Sequence, residues 1–314
     1  MERSARIYVA GHRGLAGSAI IRSLEARNYS NVITRTRAEL DLIDQEKVEE
    51  FFAKERPEYV FMTAARVGSM TANLRYPGSF IFENLAIQNN IINFARRFGV
   101  KRLIFFGSNC AYPRECPQPI KEEYLLTGVP EPTNESYAIA KIAGIELCRS
   151  FNKEFGTQFV SLIPASLYGP NDHFGSDRSH IIPMLIETIH QAKLYGEPFT
   201  TIQSNSGKIR EFLYTDDLAD AVLTIAAMPW EKCLVGDRGH TYNVGNQAPV
   251  SMSVLAQTVC DVIGYRGDLR WNDALPRGMP QKVLSAEKMS LMGWNAPTSL
   301  ENGIELTYRW YLNR

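Results

Sequence analysis

Three glycines spaced three residues apart, Gly11, Gly14 and Gly17, follow the first apolar segment of the chain. Residues 5–10 read as a buried parallel strand, and residues 18–28 carry the apolar periodicity of a helix. Glycines in a turn between such elements let backbone N–H groups approach a pyrophosphate, and the helix N-terminus favours its negative charge. Glycines also occur in ordinary turns, but the flanking strand and helix favour a dinucleotide-binding turn here.

Strand-like and helix-like segments alternate through the N-terminal half of the chain. Strands are predicted at residues 31–34, 59–63, 102–106 and 158–163, and helices at residues 45–55, 79–98 and 135–152. This alternation is typical of a Rossmann-type α/β fold, a doubly wound parallel sheet whose ligands bind at the carboxyl ends of the strands. We expect residues 1–166, completed by about 210–246, to form the cofactor-binding Rossmann domain. Residues 167–209 and 247–314 would form a smaller, C-terminal substrate-binding lobe.

The regular alternation ends in the C-terminal half. Residues 171–179 are polar and turn-rich, and residues 276–282 read as an exposed segment. A helix is expected at residues 218–227, with Asp216 or Asp217 as its N-terminal cap. The substrate lobe is therefore expected to be assembled from separate segments.

The charge balance and the cysteines limit the classes of function. The 34 basic residues equal the 34 acidic ones, so no overall field would attract nucleic acid or an anionic membrane. The apolar runs are much shorter than the roughly 20 residues of a membrane helix, and no signal peptide is visible. Five scattered cysteines without a Cys-x-x-Cys pair indicate a reduced, cytoplasmic protein without a disulfide framework or a structural zinc.

The end of the second predicted strand indicates which dinucleotide is bound. An NAD-selective enzyme usually has an acidic residue there for the ribose hydroxyls, whereas this chain has Arg35 and Arg37. Together with Arg13 of the glycine turn, these cations suit a 2′-phosphate, so NADPH is the expected cofactor. The alternative is that they are solvated surface arginines. Asp41 could accept a hydrogen bond from the adenine amino group.

Tyr137 and Lys141 are four residues apart in a predicted helix, so both side chains can face one site. A nearby ammonium and the nicotinamide charge would lower the pKa of the tyrosine from about 10 toward the working pH. Tyrosine could then exchange a proton with the oxygen of a carbonyl that receives or loses hydride. Ser108, after the strand at 102–106, would hydrogen-bond the same oxygen. The alternative is a packed tyrosine near a surface lysine.

Cys110 lies two residues beyond Ser108, so an extended chain would direct both side chains toward the substrate. A thiol with a reference pKa of about 8.5 can act as a base on carbon if nearby positive charge lowers that value. A buried cysteine can equally be a small hydrophobic residue. His180 is the expected partner, since it begins the helix that lines the substrate lobe. A histidine at a helix start can also be a surface or capping residue.

Several motifs resemble a known family. The Gly-x-x-Gly-x-x-Gly turn, Tyr137-x-x-x-Lys141 and Leu167-Tyr168-Gly169-Pro170 resemble those of the extended short-chain dehydrogenase/reductases. Five stretches are further similar to the GDP-L-fucose synthase family: residues 11–14, Gly107-Ser108-x-Cys110-x-Tyr112-Pro113, residues 131–135, residues 137–144 and Arg210-Glu211-Phe212. The resemblance covers nearly the whole chain. Related dehydratases would carry an Asp-Glu pair where this chain has Asn109-Cys110.

The resemblance implies NADPH-dependent epimerisation and C4-keto reduction of a GDP-4-keto-6-deoxyhexose, producing GDP-L-fucose or a closely related nucleotide sugar. The C4 ketone acidifies the hydrogens on C3 and C5, so Cys110 would remove a proton from one face while His180 returns one to the other. Ser108, Tyr137 and Lys141 would stabilise the enolate oxygen. No metal is required. The two long helices would pair with their copies in a homodimer, as in related reductases.

The nucleotide and the sugar stay open. The family usually has other residues at Asn109, Ala165-Ser166, Thr188, Gln203 and Gln281. One alternative is the same chemistry, or C4 reduction alone, on a different NDP-4-keto-(di)deoxy sugar. Another is a nucleotide-binding sensor without catalysis.

The expected site residues fall into three sets. The catalytic candidates are Ser108, Cys110, Tyr137, Lys141 and His180. The candidate cofactor contacts are Gly11, Arg13, Gly14, Leu15, Gly17, Arg35, Arg37, Asp41, Leu42, Ala64, Ala65, Tyr137, Lys141, Pro164 and His180. The candidate substrate contacts are Asn109, Ser166, Ile181, Leu185, Gln203, Arg210 and Lys282.

Overall fold

The computed structural model describes residues 1–175, 179–272 and 279–314. The strands in these ranges are β1 (Ile7–Ala10), β2 (Val32–Ile33), β3 (Tyr59–Met62), β4 (Arg102–Phe106), β5 (Phe159–Pro164), β6 (Ser166–Tyr168), β7 (Phe199–Ile202), β8 (Ile209–Arg210), β9 (Phe212–Tyr214), β10 (Thr241–Val244), β11 (Val250–Ser251), β12 (Asp268–Trp271) and β13 (Gln281–Lys282). The α-helices are α1 (Leu15–Ala26), α2 (Gln45–Glu55), α3 (Met70–Arg75), α4 (Pro77–Arg97), α5 (Glu135–Phe155), α6 (Ile181–Leu194), α7 (Thr215–Ala227), α8 (Met252–Ile263), α9 (Glu287–Leu291) and α10 (Leu300–Leu312). Short 3₁₀ helices cover Asn109–Ala111, Glu122–Tyr124, Pro132–Asn134 and Trp230–Lys232.

Six parallel strands form the central sheet, in the order β10-β5-β4-β3-β1-β2. Every residue of β1, β4 and β5 is buried. Such continuously buried, mostly apolar strands are expected where helices cover both faces of a parallel sheet. Helix α1 packs against α7, and α4 packs against α2 and α5. The sheet and its helices confirm the predicted Rossmann-type α/β fold.

A second hydrophobic core lies apart from the sheet. Its buried side chains come mainly from α6, α8 and α10, and they include Leu185, Ile189, Leu255, Val259 and Ile304. Three small sheets accompany this second core, in the orders β11-β8-β13, β12-β7 and β6-β9. The domain boundaries proposed from the sequence stay a prediction.

Some element boundaries match the sequence-based expectations and others differ. The helix expected at 45–55 and the strand at 102–106 are found with those bounds. Helix α1 begins at Leu15, earlier than predicted, and α3 was not predicted. The expected segments 171–179 and 276–282 lie partly outside the described residues.

The predicted capping role of Asp216 or Asp217 is wrong. Helix α7 begins at Thr215, so both carboxylates lie inside its first turn, and Tyr214 occupies the cap position without a side-chain bond. Asp217 instead accepts hydrogen bonds from the backbone N and the hydroxyl of Thr298, at 3.1 and 2.6 Å. A long-range partner therefore decides the role of this carboxylate.

Among the described residues, no helix has both the length and the apolar composition needed to cross a membrane.

Candidate active site

The glycine turn connects β1 to α1 and lies against the end of β3. Gly11 has φ +85°, and a Cβ there would lie 2.8 Å from the Ala64 backbone nitrogen. A Cβ on Gly17 would collide with the Gly11 carbonyl oxygen, whereas one on Gly14 would meet that oxygen at 3.4 Å, which is ordinary van der Waals contact. The turn is thus closely packed on its inner side and open beside the N-terminus of α1. This shape fits a pyrophosphate-bearing cofactor.

The remaining backbone candidates for the cofactor lie at or near strand ends. Ala64 and Ala65 follow β3 closely, and Pro164 is the last residue of β5. The Leu42 carbonyl accepts a hydrogen bond from Asn90 Nδ2 at 2.9 Å. Ala64, Ala65 and Pro164 therefore lie at the carboxyl edge of the sheet, where ligands of such folds bind, whereas Leu42 is held against α4.

The candidate 2′-phosphate arginines have unlike surroundings. The Arg35 guanidinium contacts Glu55 Oε1 at 2.7 Å and lies 5.5 Å from the centre of the Phe51 ring. Arg37 is 73% exposed, with Nε 3.7 Å from Asp41 Oδ2, and Arg13 is also exposed. Arg13 and Arg37 are therefore better placed than Arg35 to meet an incoming phosphate.

Ser108, Tyr137 and Lys141 come together where β4 meets α5. The Ser108 hydroxyl lies close enough to Tyr137 to lower the pKa of that phenol. Lys141 Nζ donates to the Phe106 carbonyl oxygen at 2.8 Å and lies 5.8 Å from the centre of the Tyr137 ring. The helical spacing that the sequence provides thus places both side chains at one strand end, as predicted from their positions four residues apart.

The expected lowering of the Tyr137 pKa is wrong for this structure. Burial raises the pKa of Tyr137 well above its usual value, and the nearby Cys110 raises it further, against the lowering effect of the Ser108 hydrogen bond. Burial also lowers the pKa of Lys141 to about 8. Desolvation disfavours the charged form of each group. Tyr137 therefore retains its proton, as a proton donor requires.

The backbone that carries Cys110 does not have the extended conformation expected from the sequence. The chain after Ser108 is not extended, because residues Asn109–Ala111 form a 3₁₀ helix whose Cys110 N–H donates to Ser108 Oγ at 3.2 Å. Asn134 Nδ2 donates to Cys110 Sγ at 3.0 Å. Asn134 precedes α5, but its side chain makes no cap bond to that helix. The thiol therefore lies beside Tyr137 with an amide donor on its sulfur.

Asn134 belongs to a stretch that contributed to the family resemblance, yet its contact with Cys110 was missed. No spacing rule predicts it, because the two residues are 24 positions apart and meet through two irregular segments.

His180 directly precedes α6, and its side chain makes no cap bond to that helix. Its imidazole is 51% exposed, and Nδ1 lies 3.2 Å from Oδ1 of Asp172, whose side chain is 1% exposed. The hydrogen bond to Asp172 raises the pKa of His180, against the effect of burial. Asp172 was missed by the sequence analysis. The sequence feature that could have indicated this partner is a carboxylate eight residues before His180, in a turn-rich segment.

The candidate substrate residues are only partly brought together. Lys282 Nζ lies 3.5 Å from Asn109 Oδ1, so this lysine reaches the neighbourhood of Cys110. The Arg210 guanidinium donates to the carbonyls of residues 209, 279 and 280. Gln203 is exposed and accepts a hydrogen bond from Asn272 at 2.9 Å. These four residues are at least partly accessible.

The other three substrate candidates differ in accessibility. Ser166 begins β6 and Ile181 begins α6, and both are partly buried. Leu185 is 1% exposed inside the second hydrophobic core, so its side chain is not brought to the site. A substrate contact from Leu185 would require that core to open.

Comparison with known proteins gives the family. Residues 7–245 match the model of the NAD dependent epimerase/dehydratase family, a span that contains the complete central sheet. The chain belongs to this family. Within the NAD dependent epimerase/dehydratase family, it is 44% identical over 311 residues to GDP-L-fucose synthase 1 of Arabidopsis thaliana, covering 99% of this chain and 94% of that relative.

Two further members of the family are informative. GDP-L-fucose synthase of Escherichia coli K12 is 42% identical over 310 residues, covering 98% of this chain and 96% of the relative. Among solved structures, GDP-mannoheptose C4 reductase of Campylobacter jejuni with NADP bound superposes with a TM-score of 0.90 and 34% identity. That comparison covers 99% of both chains.

Proposed function

We propose that this protein catalyses the NADPH-dependent epimerisation and C4-keto reduction of a GDP-4-keto-6-deoxyhexose, producing GDP-L-fucose or a closely related nucleotide sugar. The observation that carries this function is the placement of the Cys110 thiol with Tyr137 and Ser108: both residues influence the pKa of the tyrosine, and the Cys110 N–H donates to Ser108 Oγ. A reductase alone needs the tyrosine and the serine, whereas an epimerase also needs a base that can reach a carbon acid. The names of the plant and bacterial relatives support the same chemistry.

NADPH supplies hydride to the C4 carbon when it is bound. The glycine turn would hold its pyrophosphate at the N-terminus of α1, and Arg13 and Arg37 would meet its 2′-phosphate. The Campylobacter jejuni relative carries NADP, which supports this choice of cofactor.

Proton transfers to and from carbon in the proposed mechanism are divided between Cys110 and His180. With the C4 oxygen at Ser108 and Tyr137, the hydrogens on C3 and C5 become acidic. Cys110, as thiolate, removes one proton from carbon, and the charge moves to the oxygen, which the hydroxyls stabilise. His180, protonated, returns a proton to the opposite face. Cys110 then releases its proton to solvent and His180 takes one up from solvent, so each inversion leaves the composition of sugar and enzyme unchanged. As hydride arrives at C4, Tyr137 gives its proton to the oxygen and the alcohol forms.

Reaction in deuterium oxide tests the proposal. The purified protein, incubated with GDP-4-keto-6-deoxymannose and NADPH, should oxidise NADPH and give a product with deuterium at C3 and C5 by NMR. Oxidation without deuterium on either carbon would instead identify C4 reduction alone, the second candidate, which the name of the Campylobacter jejuni reductase favours. Failure to oxidise NADPH with GDP-, dTDP-, CDP- and UDP-linked 4-keto sugars would support a sensor without catalysis.

We further propose a cytoplasmic homodimer without a nucleic-acid partner. Helices α4 and α5 carry exposed apolar side chains, including Phe82 at 66% and Phe155 at 46%, which a second copy could cover. The five cysteines are free, in keeping with a reducing compartment. The balanced charge offers nucleic acid no attractive field.

Light scattering should give the mass of a dimer, and Phe82→Glu should shift that mass toward the monomer. A monomeric wild type would refute the proposed dimer.

A further inference from the structure

We propose that Asp172 is a positioning residue for His180, holding the imidazole by Nδ1 so that Nε2 delivers the proton to the substrate carbon. This inference rests on the proposed function and adds a residue to it. Asp172 itself touches neither substrate nor cofactor in this scheme. Its effect passes through the ring that it orients.

The contact geometry directs the ring. His180 Nδ1 lies 3.2 Å from Asp172 Oδ1 and 3.4 Å from Oδ2, so the carboxylate faces this nitrogen with both oxygens. Oδ1 also accepts the backbone N–H of His173 at 2.8 Å, which fixes the carboxylate. A carboxylate at Nδ1 makes that nitrogen the hydrogen-bond donor and leaves Nε2 for the reaction.

Burial distinguishes this pair from an ordinary surface ion pair. The Asp172 side chain is 1% exposed, while the His180 side chain is 51% exposed. A buried carboxylate needs a compensating partner, whereas the half-exposed imidazole can still reach a ligand. The arrangement therefore provides a fixed inner group and an accessible outer group, as a proton-delivering pair requires.

Aromatic packing holds the segment that carries Asp172. The Phe174 ring lies 4.8 Å from that of Tyr311 and 6.0 Å from that of Trp310, and the Arg314 guanidinium lies 4.8 Å from the Phe174 ring. Tyr311 belongs to the second hydrophobic core, to which α6 also contributes. The second core therefore supports both the carboxylate segment and the helix that begins after His180.

Few other titratable groups approach this pair within the described ranges. Asp172 is the charged group that contacts the His180 ring there. Glu187, two turns along α6, lies against Gly175, and His190 bonds the Tyr308 hydroxyl at 2.9 Å. A change in the titration of His180 on removing the Asp172 charge would therefore report on this contact.

The first experiment follows His180 directly by NMR titration of the whole protein. His180 is assigned among the five histidines by comparison with His180→Gln. We expect the wild-type ring to titrate above the reference value of about 6.5. In Asp172→Asn, its pKa should fall by about one unit or more, because an opposite charge at this distance has been removed. A wild-type value at or below the reference would overturn the inference, even if the variant does not fold.

The second experiment measures deuterium incorporation against pH. In Asp172→Asn, the decline of exchange with rising pH should begin about one unit lower, and exchange near neutral pH should fall about tenfold, because less His180 is protonated. Hydride transfer to an already epimerised ketone should be unchanged. Asp172→Glu, which keeps the charge, should recover part of the exchange. Asp261→Asn, on an exposed face of α8, serves as the matched control and should behave as wild type.

The outcomes separate this inference from the proposed function. If the wild-type protein incorporates no deuterium, the proposed epimerisation fails. If the wild type exchanges and Asp172→Asn exchanges equally with an unchanged pH profile, the role of Asp172 fails alone. Equal losses of exchange and of hydride transfer would show a general structural role and would also overturn the inference.

Discussion

The two proposed proton-transfer groups have opposite kinds of partner. Cys110 receives a hydrogen bond from the neutral amide of Asn134, whereas His180 faces the buried carboxylate of Asp172. An amide donor can stabilise a sulfur anion, which suits a base, and a carboxylate stabilises an imidazolium, which suits an acid. The carboxylate of Asp172 thus favours the protonated form of His180, while Cys110 has an amide donor directed at its sulfur.

The two groups also differ in their structural support. Cys110 follows β4, whose residues are all buried in the central sheet. His180 precedes α6, and its partner lies in an irregular segment held by the second hydrophobic core. In both cases a side chain beside a helix N-terminus, Asn134 or His180, forms a tertiary contact instead of a cap bond. Perturbing one core should therefore affect one proton-transfer group more than the other.

The largest effect is expected from Tyr137→Phe, which removes the proposed proton donor that serves both epimerisation and reduction. Reduction of an already epimerised ketone should slow by about 10²–10⁴-fold, the usual contribution of a general acid. NADPH oxidation measures the loss, and NADPH binding by fluorescence controls for cofactor affinity. A variant that reduces the ketone at the wild-type rate would remove Tyr137 from the mechanism.

The next largest effect is expected from Cys110→Ser, which should impair proton removal by Cys110 and leave His180 unaffected. A hydroxyl is a much weaker acid than a thiol, so deuterium exchange on the sugar should fall about 10²-fold or more, within the range of general base catalysis. Hydride transfer to the epimerised ketone should be retained. Cys116→Ser is the matched control. If both activities of Cys110→Ser fall equally, the proposed division of labour is incorrect.

A smaller effect is expected from Asn134→Leu, which removes the amide donor from the sulfur. Charge-assisted hydrogen bonds contribute about 1.5–3 kcal/mol, so alkylation of Cys110 by iodoacetamide at fixed pH should slow about tenfold or more. Peptide mass spectrometry resolves Cys110 from the other thiols. The NMR titration of His180 should be unchanged. An unaltered alkylation rate would show that Asn134 does not stabilise the thiolate.

The smallest effect is expected from Phe174→Ala. This change removes aromatic contacts of the segment that carries Asp172, and thereby loosens the partner of His180. Loss of its aromatic contacts should reduce the free energy of unfolding by about 1–2 kcal/mol, measured in urea. Deuterium exchange should decrease severalfold, while the alkylation rate of Cys110 stays at the wild-type value. A matching decrease in Cys110 reactivity would show that Cys110 and His180 are not supported independently.

The sequence predicted the features that depend on local order. The glycine turn, the bounds of α2 and the shared face of Tyr137 and Lys141 all follow from spacing within one or two elements. Helix α3 was missed because six residues provide little periodicity. The contacts of Asp217, Asn134 and Asp172 join residues through tertiary packing or irregular segments, where sequence spacing gives no rule.

The hydrogen bond from Lys141 to the Phe106 carbonyl closes a ring of contacts around Tyr137. Phe106 is joined through the backbone to Ser108, the Ser108 hydroxyl lies near that of Tyr137, one helical turn leads from Tyr137 to Lys141, and Lys141 donates a hydrogen bond back to Phe106. A closed ring of contacts leaves no single position about which α5 could rotate independently of β4. If α5 moves relative to β4, a hydrogen bond must break or every member must move together. The alignment of hydroxyls and ammonium is consequently a property of the whole ring, and loss of any one link should loosen the others.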